Sequence, residues 1–252
     1  MARYRLLLEY DGSAFNGWQK QPTGHTVQQA LEDALSTALR QPISVVGSGR
    51  TDSGVHARGQ VVHFDSEARI LPAGLTKSLN GLLPESVAVL VLEKAPETFH
   101  ARFDAVRRSY HYQISTQPRA LDRSVRAFVR PEPDFQKMSA AARDLIGTHN
   151  FNSFCIAKSE TKNRICTVEH AEWVPEARHG DWRFEISADR FLHGMVRAIV
   201  GTLLKIGQGR LEPKEIQNIL HRKDRRAAGP AAAAHGLVLH EVIYPDPIFK
   251  PN

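Results

Sequence analysis

The order of apolar and polar positions predicts strands alternating with helices along the chain. The clearest helix is "TVQQALEDALSTALRQP", where apolar residues recur at spacings of three and four. Thr26 and Gln29 resemble a capping box at its start, and Pro42 stands just past its end. The periodic residues are Val27, Ala30, Leu31, Ala34, Leu35, Ala38 and Leu39. Before this helix, "RYRLLLEYDG" predicts a strand that stops at the turn pair Asp11-Gly12.

The rest of the first half continues this alternation. "ISVVGSG" and "QVVHFD" predict short strands on either side of a glycine-rich segment. "LPAGLTKSLNGLLP" predicts a second helix, and "VAVLVLEKAP" predicts a buried strand. In "SYHYQIST" the pattern alternates, so Tyr110, Tyr112 and Ile114 share one face of a strand and His111 and Gln113 the other.

The pattern restarts between Phe103 and Arg108, which predicts a domain boundary there. Beyond it the predicted elements are strands near 126–130, 168–174 and 182–188, helices near 134–147, 190–206 and from Pro213, and a final strand "GLVLHEVIYP". We therefore predict an α+β fold with two similar β-α domains, residues 1–105 and 106–252, each a mainly antiparallel sheet covered by helices.

Composition narrows the class of protein. The 42% hydrophobic and 24% charged content is ordinary for a globular protein. Apolar runs are too short to span a bilayer, and "MARYRLLLEYDG" lacks the features of a signal peptide. The two cysteines, Cys155 and Cys166, indicate no disulfide framework and, with His149 and His170, no metal-ligand spacing. A cytoplasmic location is expected. The net charge of +6 favours an anionic partner such as nucleic acid.

The segment "GSGRTDSGVHAR", residues 47–58, carries the most concentrated candidate chemistry. In an extended loop, Arg50 and Asp52 point to the same side, and a guanidinium beside a carboxylate favours its charged form. Glycines 47, 49 and 54 allow another backbone to come close. A β-turn at "TDSG" with an Asx hydrogen bond explains the same residues more simply. The residues alone favour the turn and leave the catalytic interpretation open.

The predicted helix "FLHGMVRAIVGTLLKIG" contains two glycines, Gly194 and Gly201, on the side that carries Arg197. Each glycine inside a helix costs about 1 kcal/mol relative to alanine. One explanation is that another segment packs very close to this face, beside the arginine. The other is ordinary helix packing, with Arg197 extending to water. The pattern does not separate the two.

Basic residues next to aromatic ones indicate RNA binding more weakly. In "RRSYHY", Arg107 and Arg108 precede two tyrosines on the same strand face, an arrangement that can grip unpaired bases by stacking. A half-buried sheet face is the more frequent explanation of two such tyrosines. The arginines at 119, 123, 126 and 130 and the run "RKDRR" are candidates for phosphate contact, although most such runs are solvated surface.

Five segments together resemble the TruA family of tRNA pseudouridine synthases, in order and spacing, over roughly residues 4 to 245. They are "EYDGSAFNGWQKQP", "GRTDSGVHARGQVVHF", "FHARFDAVRRSYHY", "HGMVRAIVG" and "AAGPAAAAHGLVLHEVIYP". The Gly-Arg-Thr-Asp block is the most specific of them. Ser53 stands where the family usually has alanine, and Asp104 where serine is common.

The resemblance implies a function and a site. It implies that uridines at tRNA positions 38, 39 and 40, in the anticodon stem-loop, are converted to pseudouridine. Asp52 would be the nucleophile, Arg50 and Arg197 the arginines around it, and Tyr110 the active-site tyrosine. The resemblance further implies a homodimer, an RNA-binding cleft between the domains, and a reaction without cofactor or catalytic metal. Arg58, Arg107 and Arg108 are the expected additional RNA contacts.

Two other classes of function are considered beside this one. A non-catalytic tRNA- or RNA-binding protein would use the same basic surface without chemistry. A phosphate-ester hydrolase would use Asp52 together with a metal ion, although the sequence offers no cluster of ligands for one.

Overall fold

The computed structural model describes residues 1–68, 70–156 and 162–249. Its contacts divide the chain into two units. Unit 1 is Met1–Val106 with Leu239–Asn252, and unit 2 is Arg107–Val238. The first change of unit thus falls one residue from the boundary that the sequence predicts. The last fourteen residues, which the sequence prediction gives to the second domain, lie in unit 1 instead.

The described residues form ten strands and five α-helices. The strands are β1 (Ala2–Tyr10), β2 (Val45–Gly47), β3 (His56–Ser66), β4 (Val87–Lys94), β5 (Arg107–Ser115), β6 (Ala127–Phe128), β7 (Gly147–Asn150), β8 (Ile165–Pro175), β9 (Asp181–Ala188) and β10 (Leu237–Ile243). The helices are α1 (Val27–Leu39), α2 (Pro72–Leu82), α3 (Phe135–Arg143), α4 (Met195–Gly207) and α5 (Glu215–Arg222).

Unit 1 is built on the strand order β4-β1-β3-β10, with β2 also paired to β3. Strand β1 is antiparallel to both of its neighbours, and Leu6 lies opposite Val62 on one side and Leu92 on the other. Because Leu6 and Leu8 are completely buried, alternate residues of β1 form the centre of this core. Strand β3 begins at His56, earlier than predicted, so Arg58 lies on a strand.

Helix α1 follows its prediction closely. Thr26 caps it by accepting a hydrogen bond from the Gln29 backbone N–H at 3.3 Å. The box is not reciprocal, because the Gln29 side chain donates to Asp33 Oδ1 at 2.6 Å instead. The helix ends at Arg40, whose left-handed backbone has φ 54°.

The chain returns to unit 1 through β10, which runs beside β3. The N–H of Val106 donates to the carbonyl of Ile243 at 2.9 Å. The Tyr244 hydroxyl donates to the carbonyl of Ala101 at 2.5 Å. These long-range bonds explain why the predicted boundaries fail for residues 239–252: strand pairing, not sequence proximity, assigns a terminal strand to its sheet.

Unit 2 has the strand order β5-β9-β8-β7, with β6 parallel to β5 and the other pairs antiparallel. Helix α3 packs on α4 and β8. Tyr110, Tyr112 and Ile114 are buried on one face of β5, which confirms the predicted alternation. Helix α4 begins at Met195, later than the predicted start near residue 190, and the short strand β7 has no counterpart in the prediction.

Candidate active site

Asp52 lies in the connection between β2 and β3, where the backbone makes a tight turn. The N–H of Val55 donates to the carbonyl of Asp52 at 3.1 Å, and Gly54 adopts φ 77°. A positive φ at the third turn position is what glycine supplies at little steric cost. The main-chain turn that the simpler interpretation expects is therefore present. It does not exclude reactive chemistry, because the turn uses the backbone of Asp52 and the side chain is half-buried, not sealed in the core.

The segment after β1 packs directly on this turn through two glycines. A Cβ at Gly12 would lie 2.0 Å from the carbonyl oxygen of Val55, and one at Gly17 would lie 2.7 Å from that of Thr51. Real Cβ atoms do not approach so closely, so no larger residue fits at either position without movement. The N–H of Trp18 also donates to the Thr51 carbonyl at 3.0 Å. The first motif of the resemblance thus supports the backbone on both sides of Asp52.

Buried hydroxyl and amide groups hold the segment that leads into Asp52. The hydroxyl groups of Tyr10 and Thr51 lie 2.8 Å apart in a hydrogen bond. Gln60 accepts from the Ser48 hydroxyl at 2.6 Å and donates to the Gly49 carbonyl at 2.9 Å. Burial raises the pKa of Tyr10, and its hydrogen bonds to Thr51 and Gln60 offset this only in part. The phenol therefore keeps its proton at neutral pH and remains a hydrogen-bonding group.

The two arginines nearest to Asp52 in sequence are both exposed. Arg50 precedes it by two positions, and Arg58 lies near the start of β3. The direct pairing of Arg50 with Asp52 that the loop pattern allows is one of the expectations for this site. The roles predicted for Arg50 and Arg58 stay predictions.

Arg197 lies on α4 in unit 2, where another segment does pack closely against the glycine face. A Cβ at Gly201 would lie 1.8 Å from the carbonyl oxygen of Pro230. The Nε of Arg197 donates to the Ala232 carbonyl at 2.8 Å, and the Ala232 N–H donates back to the Arg197 carbonyl at 2.9 Å. The close-packing interpretation is confirmed for Gly201. Gly194 lies outside the helix, as its N-cap with φ 70°, and a Cβ there would lie 3.0 Å from Cγ1 of Ile156.

Tyr112 supports the same segment from β5. Its hydroxyl donates to the Ala233 carbonyl at 2.9 Å, next to the residue that holds Arg197. Burial raises the pKa of Tyr112, and the positive charge of Arg197 opposes that rise. Tyr112 is thus a packing and hydrogen-bonding residue of unit 2, and it fixes the segment that orients Arg197.

The structure places the other predicted residues of unit 2 along β5. Tyr110 is 9% exposed, and its ring meets the ring of Phe191 edge-on at 5.1 Å. Arg107 donates to Glu169 at 2.7 Å, and Arg108 donates to the Asp189 carbonyl at 3.0 Å. The predicted roles of Tyr110 in the site and of the two arginines in RNA contact stay predictions.

Several arginines considered for phosphate contact serve the fold instead. Arg126 and Asp181 are both buried, 3.7 Å apart, and Arg119 donates to Asp181 at 3.0 Å. Burial alone would raise the pKa of Asp181, but the Ser115 hydroxyl and these guanidinium groups lower it overall. Arg126 and Asp181 therefore form an internal ion pair. In the run "RKDRR", Arg226 pairs with Asp224, two positions before it, at 2.8 Å.

Within the described ranges, no three His, Cys, Asp or Glu residues lie together as a metal site. Nor does any helix in that part of the chain have the length and apolar character needed to cross a membrane. Cys155 and Cys166 are free and buried, and burial raises the pKa of the Cys166 thiol to about 12. Residues 157–161 of the loop between them lie outside the described residues.

The sequence matches the model of the family described as tRNA pseudouridine synthase, over residues 7–104 and 141–245. These two stretches contain the Asp52 turn, the segment packed on it, and all of α4. The chain belongs to the tRNA pseudouridine synthase family. Similar proteins include the tRNA pseudouridine synthase A of Exiguobacterium sibiricum, 41% identical over 246 residues and covering 98% of each chain. Others are those of Bacteroides fragilis, 43% identical over 98% of each chain, and Bacillus subtilis, 43% identical over 96% of this chain and 99% of its own.

Family membership confirms the resemblance, but the sequence reasoning missed the residues that support the Asp52 turn. These are Tyr10, Gly12, Gly17, Thr51 and Gln60. All five lie in segments quoted for the resemblance: Tyr10, Gly12 and Gly17 in the first, and Thr51 and Gln60 in the Gly-Arg-Thr-Asp block. Two glycines within six residues after a strand were the available signal of a close backbone approach.

Proposed function

We propose that this chain isomerises uridine to pseudouridine at positions 38, 39 and 40 of tRNA, in the anticodon stem-loop, with Asp52 as the nucleophile. Membership of the tRNA pseudouridine synthase family makes it an isomerase that acts on tRNA. The tRNA positions and the residue roles are the proposal. The observation that carries it is the Asp52 turn, which a second segment and a buried hydrogen-bond network hold in one place.

The reaction suits a carboxylate that the backbone holds in place. The N1–C1′ bond of uridine breaks, the uracil turns, C5 joins C1′, and the proton on C5 leaves while N1 gains one. Atoms and electrons balance within the nucleotide, so the conversion is redox-neutral. A charged carboxylate at Asp52 starts the reaction either by attacking the nucleoside covalently or by removing a sugar proton to give a glycal. Both routes need an oriented oxygen near C1′, which a fixed turn supplies.

The resemblance implies the roles of the other proposed site residues. Arg50 and Arg197 are proposed to stabilise the carboxylate charge and to orient the substrate. Tyr110 is proposed to stack on the uracil, and assistance in removing the C5 proton is a further role for its phenol. The Arg197 side chain is itself oriented by its bond to Ala232, which supports its role, because a catalytic cation must be held in a defined geometry.

RNA binding is proposed to rely on charge and shape. Arg58, Arg107 and Arg108 would follow the phosphate backbone without reading sequence, which suits action at three adjacent positions. The net charge of +6 supports such an electrostatic contribution. The target base must leave its stack, and a nucleotide near a loop does so at less cost than one inside a long duplex. Operation as a homodimer in the cytoplasm is part of the same proposal and rests on the resemblance.

The experiment maps pseudouridine in an unmodified tRNA transcript with uridines at positions 38, 39 and 40, before and after incubation with the protein alone. We expect pseudouridine at these positions and at no other uridine of the transcript. A transcript with cytidine at all three positions is the matched substrate control and should gain none. Formation of the product in the presence of a chelator separates this function from metal-dependent ester hydrolysis.

Two results would contradict the proposal. If the protein binds the tRNA but forms no pseudouridine in any transcript, the non-catalytic binding protein is the correct description. If pseudouridine forms only outside the anticodon stem-loop, the enzyme class stands and the proposed positions are wrong. The electrostatic part has its own test, since tRNA affinity should fall steeply as salt is raised, and a flat response would contradict it.

A further inference from the structure

One aromatic side chain of unit 1 is exposed to solvent on a turn that several hydrogen bonds hold in place. Phe103 is 75% exposed, and it lies in the short segment between β4 and β5. Single exposed apolar side chains are common on protein surfaces, so exposure alone assigns no role to this ring. It does not belong to the Asp52 turn or to the segment that supports it.

The turn is closed by side-chain hydrogen bonds of its own residues. His100 Nδ1 accepts from the backbone N–H groups of both Arg102 and Phe103, each at 3.2 Å. The N–H of His100 donates to Asp104 Oδ2 at 2.7 Å, and the N–H of Asp104 donates to the His100 carbonyl at 3.1 Å. These reciprocal bonds fix the backbone that presents the ring.

A second histidine accepts a hydrogen bond from the backbone of this turn. His63 is buried on β3, and its Nδ1 accepts the N–H of Ala101 at 3.1 Å. Burial lowers the pKa of His63 to about 4, with help from the charges of Arg3 and His100, so the ring stays neutral and keeps this acceptor at neutral pH. The carbonyl of Ala101 accepts from the Tyr244 hydroxyl. The turn is thus anchored to the core of unit 1 through both backbone polar groups of one residue, Ala101.

The groups around the Phe103 ring are typical of a surface on which a nucleobase stacks. The rings of His100 and Phe103 are stacked, with centroids 4.3 Å apart and planes inclined by 28°. The guanidinium of Arg102 lies 5.7 Å from the centre of the Phe103 ring. An aromatic ring with an adjacent arginine is the combination that binds an unpaired base by stacking and its phosphate by charge.

We propose that Phe103 is a stacking contact for a nucleobase of the bound tRNA, presented by the His100–Asp104 turn and separate from the uridine that reacts. This proposal rests on the proposed function, because it takes tRNA as the ligand. A nucleobase fits better than a protein partner, because the residues on either side of Phe103, Arg102 and Asp104, are exposed and charged. A stable protein interface needs about 800 Å² on each partner with few charged groups at its centre.

The test replaces Phe103 by leucine, alanine and tryptophan and measures tRNA affinity at a fixed salt concentration. Leucine keeps the apolar character without the π face, so Phe103→Leu and Phe103→Ala should both weaken binding, by about tenfold. Phe103→Trp should bind within about twofold of wild type, and its added tryptophan fluorescence should fall when tRNA is added. Leu71→Ala is the matched control, since Leu71 is 73% exposed in the same unit, and it should leave affinity unchanged.

Three results would overturn this inference. In the first, Phe103→Leu binds tRNA like wild type, so that the π face has no role. In the second, Phe103→Ala and Leu71→Ala weaken binding equally, so that any loss of exposed apolar surface explains the effect. In the third, Phe103→Ala changes the sedimentation of the protein without tRNA, which makes the ring a contact between copies of the chain. A wild-type protein that binds tRNA without forming pseudouridine would refute the proposed function but not the stacking contact.

Discussion

The surroundings of Asp52 in unit 1 and of Arg197 in unit 2 use the same construction. In each, a glycine lets a second segment come within van der Waals contact: Gly12 against Val55, and Gly201 against Pro230. In each, a buried tyrosine hydroxyl bonds to the segment that is held, Tyr10 to Thr51 and Tyr112 to Ala233. Both regions hold the backbone beside a residue that is proposed to belong to the active site.

The two regions differ in which atoms these contacts hold in place. In unit 1 the contacts hold the backbone around Asp52, and Arg50 beside it is exposed. In unit 2 the contact reaches the Arg197 side chain itself, because its Nε donates to the Ala232 carbonyl. A nucleophile on a turn can be placed by its backbone alone, since its side chain is short. An arginine has a long side chain with much rotamer freedom, and it needs a bond near its end.

The largest effect on the free energy of unfolding is expected from a substitution at Gly201. In Gly201→Ala the new methyl group would lie 1.8 Å from the Pro230 carbonyl oxygen, so the segment that holds Arg197 must move. We expect the free energy of unfolding to fall by about 3 kcal/mol, measured by denaturant titration. Gly81→Ala on α2 is the control, because its Cβ meets nothing within 4 Å; it should be neutral or stabilising by up to about 1 kcal/mol. Equal effects at both positions would refute close packing as the reason for Gly201.

Gly12→Ala should affect catalysis more than binding. A Cβ there would lie 2.0 Å from the Val55 carbonyl oxygen, and relief of that clash shifts the turn that carries Asp52. We expect a loss of about 2 kcal/mol in stability and a fall in the single-turnover rate of about a hundredfold, because a nucleophile displaced by about 1 Å loses its alignment. Affinity for tRNA should hold. A variant that loses stability but keeps its rate would show that the Gly12 contact does not position Asp52.

The paired substitutions Tyr10→Phe and Tyr112→Phe test the hydroxyl bonds of the two regions against each other. Each removes one buried hydrogen bond and should lower the free energy of unfolding by about 1 kcal/mol. Tyr10→Phe should also reduce the single-turnover rate, by less than Gly12→Ala does. Tyr244→Phe removes a comparable bond to Ala101 in unit 1, and its single-turnover rate at saturating tRNA should match wild type. If Tyr244→Phe slows the reaction as much as Tyr10→Phe, the network near Thr51 has no special role.

The smallest effects on the free energy of unfolding are expected from the lysine substitutions of Arg197 and Arg50. Lysine keeps the charge but has no Nε donor in the position that reaches Ala232, so Arg197→Lys should destabilise the protein by about 1 kcal/mol. Arg50 is exposed, and Arg50→Lys should change stability by less than about 0.5 kcal/mol. Equal changes in melting behaviour would mean that the Ala232 bond contributes nothing.

The local and periodic features were predictable from the sequence. Helix α1 and its Thr26 cap follow from periodicity and capping chemistry, and the buried face of β5 follows from alternation. The close contact at Gly201 was one of two explanations that the sequence left open, because a glycine inside a helix indicates close packing without establishing it. The motifs around Asp52 led to the family directly.

The features that depend on distant parts of the chain were not predictable. Residues 239–252 join unit 1 because β10 pairs with β3, and no local pattern encodes such a partner. The packing of Gly12 and Gly17 on the Asp52 turn joins two loops, which have no periodic signature. Nothing in the sequence distinguishes Arg126 from the other arginines. Its role in a buried ion pair follows only from the position of Asp181 in the fold.

The most direct measurement is a single-turnover assay of Asp52→Asn with an anticodon stem-loop substrate, combined with its affinity for full tRNA. Asparagine keeps the size and hydrogen-bonding oxygen of the side chain but cannot act as a carboxylate nucleophile or base. We predict no pseudouridine above the enzyme-free level, with tRNA affinity and melting temperature near those of wild type. Pseudouridine formation by Asp52→Asn at a rate near wild type would contradict the account.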